Sequence, residues 1–241
     1  MEKGVIDDNK IISEVGNFRF LKDVAENFDP HVRKSVPFYE EIQRMVTEMS
    51  DWFIHDNSRV YDLGISTGET FSNLCDKHQS NKRPQFIGID NSEDMLTVAR
   101  TNLRNYDNVT LYKHDLNNSI EIKDASFVTM LYTFQFVRPE IRQRLINDIY
   151  QGMIDNGALI IVEKILGNNP KFNEIWIELY NDMKLRHKLS LENIKAKADS
   201  LRGILTSYSQ EKIINILHRS GFQDIDIFFK WYNFLGIIAV K

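Results

Sequence analysis

Apolar residues recur along this chain with two periods, and the change between them marks out its organisation. From about residue 58 to 164, short apolar runs alternate with stretches whose apolar residues return every three to four positions. That is the mark of strands alternating with amphipathic helices, and hence of a parallel sheet. The predicted strands are 59–63, 86–90, 109–112, 125–133 and 158–163. Helices 68–78, 92–104 and 138–153 join them; Ser92 serves as a predicted N-cap, and Ile141, Leu145, Ile149 and Met153 share one stripe.

The pattern is helical on either side of this core. Phe20, Leu21, Val24, Ala25 and Phe28 predict a helix over 18–28 that Asp29-Pro30 breaks. A second helix is predicted over 34–53, with Pro37 in its first turn. Residues 170–203 read as purely helical, with Phe172, Ile175, Trp176, Leu179, Tyr180 and Met183 at helical intervals, and 209–219 as one further helix. Ser220-Gly221-Phe222 stops that helix, and the runs 222–229 and 231–240 fit a terminal hairpin. The expected organisation is one α/β domain over 1–241: an N-terminal helical lid (1–57), a core (58–164), a helical cover (165–220) and the hairpin (221–241).

Composition narrows the classes. With 241 residues and 42% hydrophobic content the chain suits a globular α/β domain. A net charge of −4 offers no surplus for nucleic acid, so no direct nucleic-acid binding is expected. Cys75 is the single cysteine, which excludes an internal disulfide and suits a reducing compartment. No apolar run approaches the ~20 residues of a membrane span. The acidic N-terminus lacks a signal peptide's apolar region, so a cytoplasmic location is expected.

The chemistry starts at Val60-Tyr61-Asp62-Leu63-Gly64-Ile65-Ser66-Thr67-Gly68, a strand entering a glycine loop ahead of a helix. Gly64 and Gly68 let the backbone take positive φ and approach a ligand, while Ser66 stands where a dinucleotide fingerprint has its second glycine. Asp90 ends strand 2 and can accept two hydrogen bonds from a ribose diol. Asp115 follows strand 3 and can accept from an adenine amino group, with Leu116 as an apolar wall. Asp62 can meet a cationic or amide-bearing part of the ligand. Carboxylates in all three places suit a cationic ligand better than a pyrophosphate, which favours amide donors. No metal cluster is predicted.

These residues resemble the class I S-adenosylmethionine-dependent methyltransferases, which implies a Rossmann-like, doubly wound, seven-stranded and mostly parallel sheet with an antiparallel last strand. A closer likeness rests on Phe20-Leu21-Lys22-Asp23-Val24-Ala25, Arg33-Lys34-Ser35-Val36-Pro37-Phe38-Tyr39, Ile89-Asp90-Asn91-Ser92, Thr133-Phe134-Gln135-Phe136, Ile149-Tyr150-Gln151-Gly152, Gly157-Ala158-Leu159, Glu163-Lys164 and Trp231-Tyr232-Asn233-Phe234. These resemble the carboxy-S-adenosyl-L-methionine synthases, which transfer carboxylate from prephenate to the cofactor's methyl group for modification of transfer RNA wobble uridine. The resemblance implies that Tyr39, Gly64, Ile65, Ser66, Asp90, Asn91, Asp115 and Leu116 contact S-adenosyl-L-methionine, and that the protein is a homodimer, with part of 170–205 expected in its interface.

The chain departs from that family at two places. Leu131 stands at the cofactor-side position where the family has asparagine, and Ala198 where it has a carboxylate-binding arginine. Arg202, one turn on, can substitute for it, whereas Lys197 is expected to point elsewhere. The expected activity is therefore methyl transfer to a small-molecule acceptor, with carboxy-S-adenosyl-L-methionine synthesis as the alternative and a non-catalytic cofactor-binding partner as a third reading. Tyr39 and Glu163 are the candidates for catalytic roles. Glu163 either orients or deprotonates an acceptor, or caps the following segment. Asp62, Gly64, Ile65, Ser66, Gly68, Asp90, Asn91, Asp115, Leu116 and Leu131 are the cofactor-binding candidates with Tyr39. His114 either lines the pocket or, the preferred reading, is an exposed loop residue, and Phe134, Phe136, Trp176, Tyr180, Trp231 and Tyr232 are read as core, with one or two touching substrate.

Overall fold

The computed structural model describes residues 25, 27–78 and 83–241. Strands β1 (Arg59–Leu63), β2 (Gln85–Asp90), β3 (Val109–Lys113), β4 (Ala125–Leu131), β5 (Met153–Lys164), β6 (Asp224–Trp231) and β7 (Phe234–Val240) form one sheet in the order β3-β2-β1-β4-β5-β7-β6. The first five are parallel, and β7 runs antiparallel between β5 and β6. The order reverses between β1 and β4, which opens a crevice beyond the carboxyl ends of the strands. β4 and the second half of β5 are buried along almost their whole length, so they read as unbroken apolar runs rather than alternating ones.

Helices cover both faces: α1 (Phe28–Ser35), α2 (Tyr39–Met49), α3 (Glu69–His78), α4 (Glu93–Asn102), α5 (Arg142–Gly152), α6 (Pro170–Arg186), α7 (Leu191–Ser200) and α8 (Gln210–Ser220). On one face Leu145, Ile146 and Ile149 of α5 and Ile213, Ile216 and Leu217 of α8 pack with Leu159 and Ile161 of β5. On the other, Ile42, Val46, Phe71, Leu74 and Leu96 pack with Val60, Phe86, Phe127 and Ile160. Each such side chain contributes about 1.5–3 kcal/mol by leaving water.

Several boundaries move for identifiable reasons. The predicted helix 18–28 falls almost wholly outside the described residues. Asp29-Pro30 lies in the first turn of α1, where a proline loses no intrahelical bond. The predicted 34–53 helix is split, since Val36 is extended ahead of Pro37 and Phe38 is left-handed at φ 53°. β4 stops at Leu131 because Tyr132 takes φ 59°. The helical run 170–203 is two helices: Asn169 caps α6, Ser190 caps α7, and Lys188 between them is left-handed at φ 66°.

Candidate functional site

The β1–α3 loop is shaped by backbone conformations that its sequence favours unevenly. Gly64 and Gly68 lie at φ +91° and +88°, and a Cβ on Gly64 would stand 2.1 Å from Thr133 Oγ1. Ser66 adopts glycine-like geometry at φ 54°, and its amide donates to Asp90 Oδ2 at 2.9 Å. The other carboxylate oxygen of Asp90 accepts from the Ser92 amide at 2.9 Å. Asp90 therefore locks the glycine loop to the start of α4, whose Ser92 cap accepts from the Met95 amide as expected. Burial raises the Asp90 carboxyl, against the pull of the Ser92, Ser66 and Asn91 amides.

Asp62 is buried in β1 and accepts from Thr129 Oγ1 at 2.8 Å. Burial pushes its carboxyl up to about 7; the Thr129 hydroxyl lowers it and Asp90 raises it further. Asp115 Oδ1 accepts from the backbone and side-chain nitrogens of Asn117, at 2.9 and 2.8 Å.

These loops face a cavity of about 320 Å³. Asp62, Gly64, Ile65, Ser66, Asp90, Asn91, Asp115, Leu116, Leu131 and Tyr39 all line it. His114 lines it too, with Nε2 buried and without a partner among the described residues, so it is not the exposed loop histidine expected. Gly68 lies outside the lining; its φ is positive, and a Cβ there would stand 2.8 Å from Leu103 Cδ1. The acidic wall is strapped by α1: Thr67 Oγ1 donates to Asp29 at 2.7 Å and Arg33 pairs with Glu69. The Tyr39 hydroxyl donates to Glu69 at 3.3 Å and accepts from Gln43 at 3.2 Å. Burial first, then Glu69, raises the Tyr39 phenol, which stays a neutral donor.

The opposite wall comes from β5, α6 and α7, and it is basic. Lys164, Lys184 and Lys197 all line the cavity, together with Tyr180, Leu131 and Ala198. Lys197 thus faces the site rather than away from it, because α7 presents both of its neighbouring positions to the opening. Arg202 lies outside the lining, 73% exposed along its side chain and paired with Asp199 at 2.6 Å. It does not occupy the place of the arginine that the family resemblance implies.

Glu163 also lies outside the lining. Its Oε2 accepts from the Gln135 amide at 3.0 Å and its Oε1 has no partner among the described residues. Burial pushes this carboxyl up to about 8, opposed by the Phe134 amide, Arg142 and the Gln135 amide. This placement has Glu163 holding the turn after β4, a role other than the two read from the sequence. Arg142, which sequence reasoning missed, completes that hold. Buried at 1% exposure, it donates to the carbonyls of Val137 (2.9 Å), Gln135 (3.1 Å) and Thr206 (2.7 Å) and stacks over Tyr208 at 4.1 Å. An arginine at a helix start beside apolar residues carries no local signal of burial. Tyr132 and Thr133 also line the cavity, the first stacked on Tyr39 at 6.3 Å. Of the aromatic candidates, Phe136 and Tyr180 reach the lining, Phe134 is core, and Trp176 stacks between Phe172 and Tyr232 away from it. Among the described residues no group of three or more His, Cys, Asp and Glu is placed to hold a metal ion.

A sheet of this order, a glycine cradle that a single Cβ would fill and acids at the ends of β1, β2 and β3 define a class I S-adenosylmethionine-dependent transferase. A methyltransferase-domain family model matches residues 60–157. The fold is shared with an O-methyltransferase family protein from Burkholderia thailandensis (TM-score 0.64, 12% identity, 91% of this chain and 60% of that one). It is shared also with human N-acetylserotonin methyltransferase bound to S-adenosylmethionine (TM-score 0.60, 12% identity, 92% and 56%). The carboxy-S-adenosyl-L-methionine synthase of Methylococcus capsulatus is 39% identical over 232 residues, 95% of this chain and 96% of that protein. That of Staphylococcus epidermidis is 39% identical over 220 residues, 91% and 95%. The chain belongs to the carboxy-S-adenosyl-L-methionine synthase family.

Proposed function

We propose that this chain is a methyltransferase that uses S-adenosyl-L-methionine to methylate a small molecule bound against α6 and α7. The observation that carries this is the lining at Leu131 and Ala198. At the two positions where the family resemblance implies an amide and a guanidinium, the cavity meets only apolar groups. Asp90 and the glycine loop would hold the cofactor's ribose side, Asp115 and Leu116 its adenine, and Tyr39 the end nearest the acceptor. When bound, the cofactor supplies an electrophilic sulfonium methyl. Transfer then depends chiefly on in-line placement and exclusion of water, and the α1 strap over the glycine loop would contribute to the latter.

A second reading is carboxy transfer, the activity for which the relatives are named. Lys164, Lys184 and Lys197 favour it, because they supply cationic groups that the missing arginine would otherwise provide. Mass spectrometry of copurifying small molecules, and of incubations with S-adenosylmethionine and prephenate, separates the two. Methyl transfer is expected to show the cofactor or its demethylated product and no carboxylated cofactor, with Leu131→Asn plus Ala198→Arg gaining some. Carboxylated cofactor and phenylpyruvate from the unmodified chain would establish the second reading.

Assembly is part of the same proposal. Phe172, Ile177, Leu185 and Leu191 are exposed on α6 and at the start of α7, a face that supports packing against a second copy. A light-scattering mass of two chains at micromolar concentration is expected, and a mass of one chain would contradict it.

A further inference from the structure

A second cavity, of about 460 Å³, opens where α1 gives way to α2, beside the end of α6 and Trp231 of β6. The turn between the two helices shapes it: Val36 is extended ahead of Pro37, and Phe38 is left-handed at φ 53°. That conformation is rare for a bulky residue and persists only where its surroundings hold it. Here Phe229 and Trp231 hold the ring edge-to-face, at 5.9 and 6.2 Å, yet Phe38 stays 48% exposed. The end of α6 is pinned beside it, because His187 Nδ1 donates to the Lys34 carbonyl at 2.9 Å. The charges of the lining fall into paired and unpaired ones. Arg33 pairs with Glu40 at 3.2 Å and also with Glu69. Arg186 and Glu41 line the same cavity, and among the described residues neither has a hydrogen bond or an ion pair. One unpaired cation and one unpaired anion beside two aromatic rings complement a ligand that is itself aromatic and zwitterionic. A plain anion or a plain cation would meet its like charge there.

We propose that this cavity is a second small-molecule site, which takes a free aromatic amino acid. Arg186 holds the α-carboxylate, since a guanidinium meets a carboxylate with two parallel bonds, and Glu41 holds the α-ammonium. The ring enters against Phe38 and Trp231, where aromatic pairs favour edge-to-face or offset contact. The volume lies within the range of small-molecule sites. None of these four residues lines the cofactor cavity, whereas Val36 and Tyr39 line both. The two cavities thus stand back to back across one partition, and the second can be altered without touching the first.

The test is calorimetry of the full chain with L-phenylalanine, L-tyrosine and L-tryptophan, each with and without saturating S-adenosylhomocysteine. At least one is expected to bind once per chain with a submillimolar Kd, and to bind still when S-adenosylhomocysteine is present. 3-Phenylpropionate, which lacks the ammonium, and phenethylamine, which lacks the carboxylate, should each bind about 5- to 10-fold more weakly. That factor lies between an exposed ion pair and a charge-assisted hydrogen bond. Arg186→Met and Glu41→Gln should each weaken the amino acid by a similar factor and leave S-adenosylhomocysteine affinity unchanged. Phe38→Gly removes the ring but suits φ 53°, so it should fold and lose the amino acid. The site is overturned if none of the three gives heat at millimolar concentration, or if both charge variants bind as wild type does. Displacement by S-adenosylhomocysteine would also overturn it, by placing the amino acid in the cofactor cavity.

Discussion

The two walls of the cavity differ in charge, in origin and in how they are built. The sheet wall carries Asp62 within β1, Asp90 at the end of β2 and Asp115 just after β3. The cover wall carries Lys164, Lys184 and Lys197 from three successive elements, β5, α6 and α7. The sheet wall is fixed by local bonds, such as Asp90 to the amides of Ser66 and Ser92, whereas the cover is held at a distance through Arg142, Thr206 and Tyr180. Opposite fields thus meet across one cavity.

The joint between the walls should show the largest effect. Arg142→Met removes the donor to three carbonyls, on the segment after β4 and on Thr206. It also leaves Glu163 without its cationic neighbour. A loss of about 3–5 kcal/mol in denaturant unfolding is expected, the cost of breaking a buried charged network from one side. A loss under about 1 kcal/mol would show that the walls are not coupled through it, since that is the scale of exposed ion pairs.

Gly64→Ala attacks the sheet wall alone. Its Cβ would collide with Thr133 Oγ1 at 2.1 Å, and its φ of +91° disfavours any side chain. Together these should cost about 2–4 kcal/mol, read as lower unfolding stability or lost S-adenosylhomocysteine affinity. Thr133→Ala in the same chain should recover part of that loss, because it removes the two nearest atoms.

The smallest effect is a pH dependence. Asp62 and Glu163 titrate at about 7 and about 8 in the fold, against reference values of 3.8 and 4.5. The folded state holds more protons across that window, so the stability these groups add is full below about pH 4 and is lost as pH rises through 7–8. Ligand-free protein should melt higher at pH 5 than at pH 8. Glu163→Gln should flatten the alkaline part of the slope while keeping the bond to the Gln135 amide, and an unchanged slope would show that Glu163 is ionised throughout.

The contrast between the walls also separates what the residue pattern reveals from what it hides. The strand alternation, the glycine loop and the three acids are legible in the sequence because strand, turn and helix signals are local, and Asp90 and Asp115 end or follow their strands directly. The direction of Lys197, the exclusion of Arg202 and the retreat of Glu163 behind the Gln135 turn depend on how α6 and α7 dock. Residue spacing within a helix does not carry that information. Pro37 shows the same limit on a smaller scale: a proline permits either a helix start or a break, and the extended Val36 and left-handed Phe38 beside it decide.

The most direct measurement is a pair of calorimetric titrations on Asp90→Ala and Lys184→Met, each with S-adenosylhomocysteine and then with prephenate on the loaded protein. Asp90→Ala should lose about 1.5–3 kcal/mol of S-adenosylhomocysteine binding, the value of a charged hydrogen bond. Lys184→Met should keep that affinity and, on the carboxy-transfer reading, lose prephenate. Equal loss of S-adenosylhomocysteine in both variants, or prephenate binding indifferent to Lys184, would contradict a cavity with one acidic cofactor wall and one basic co-substrate wall.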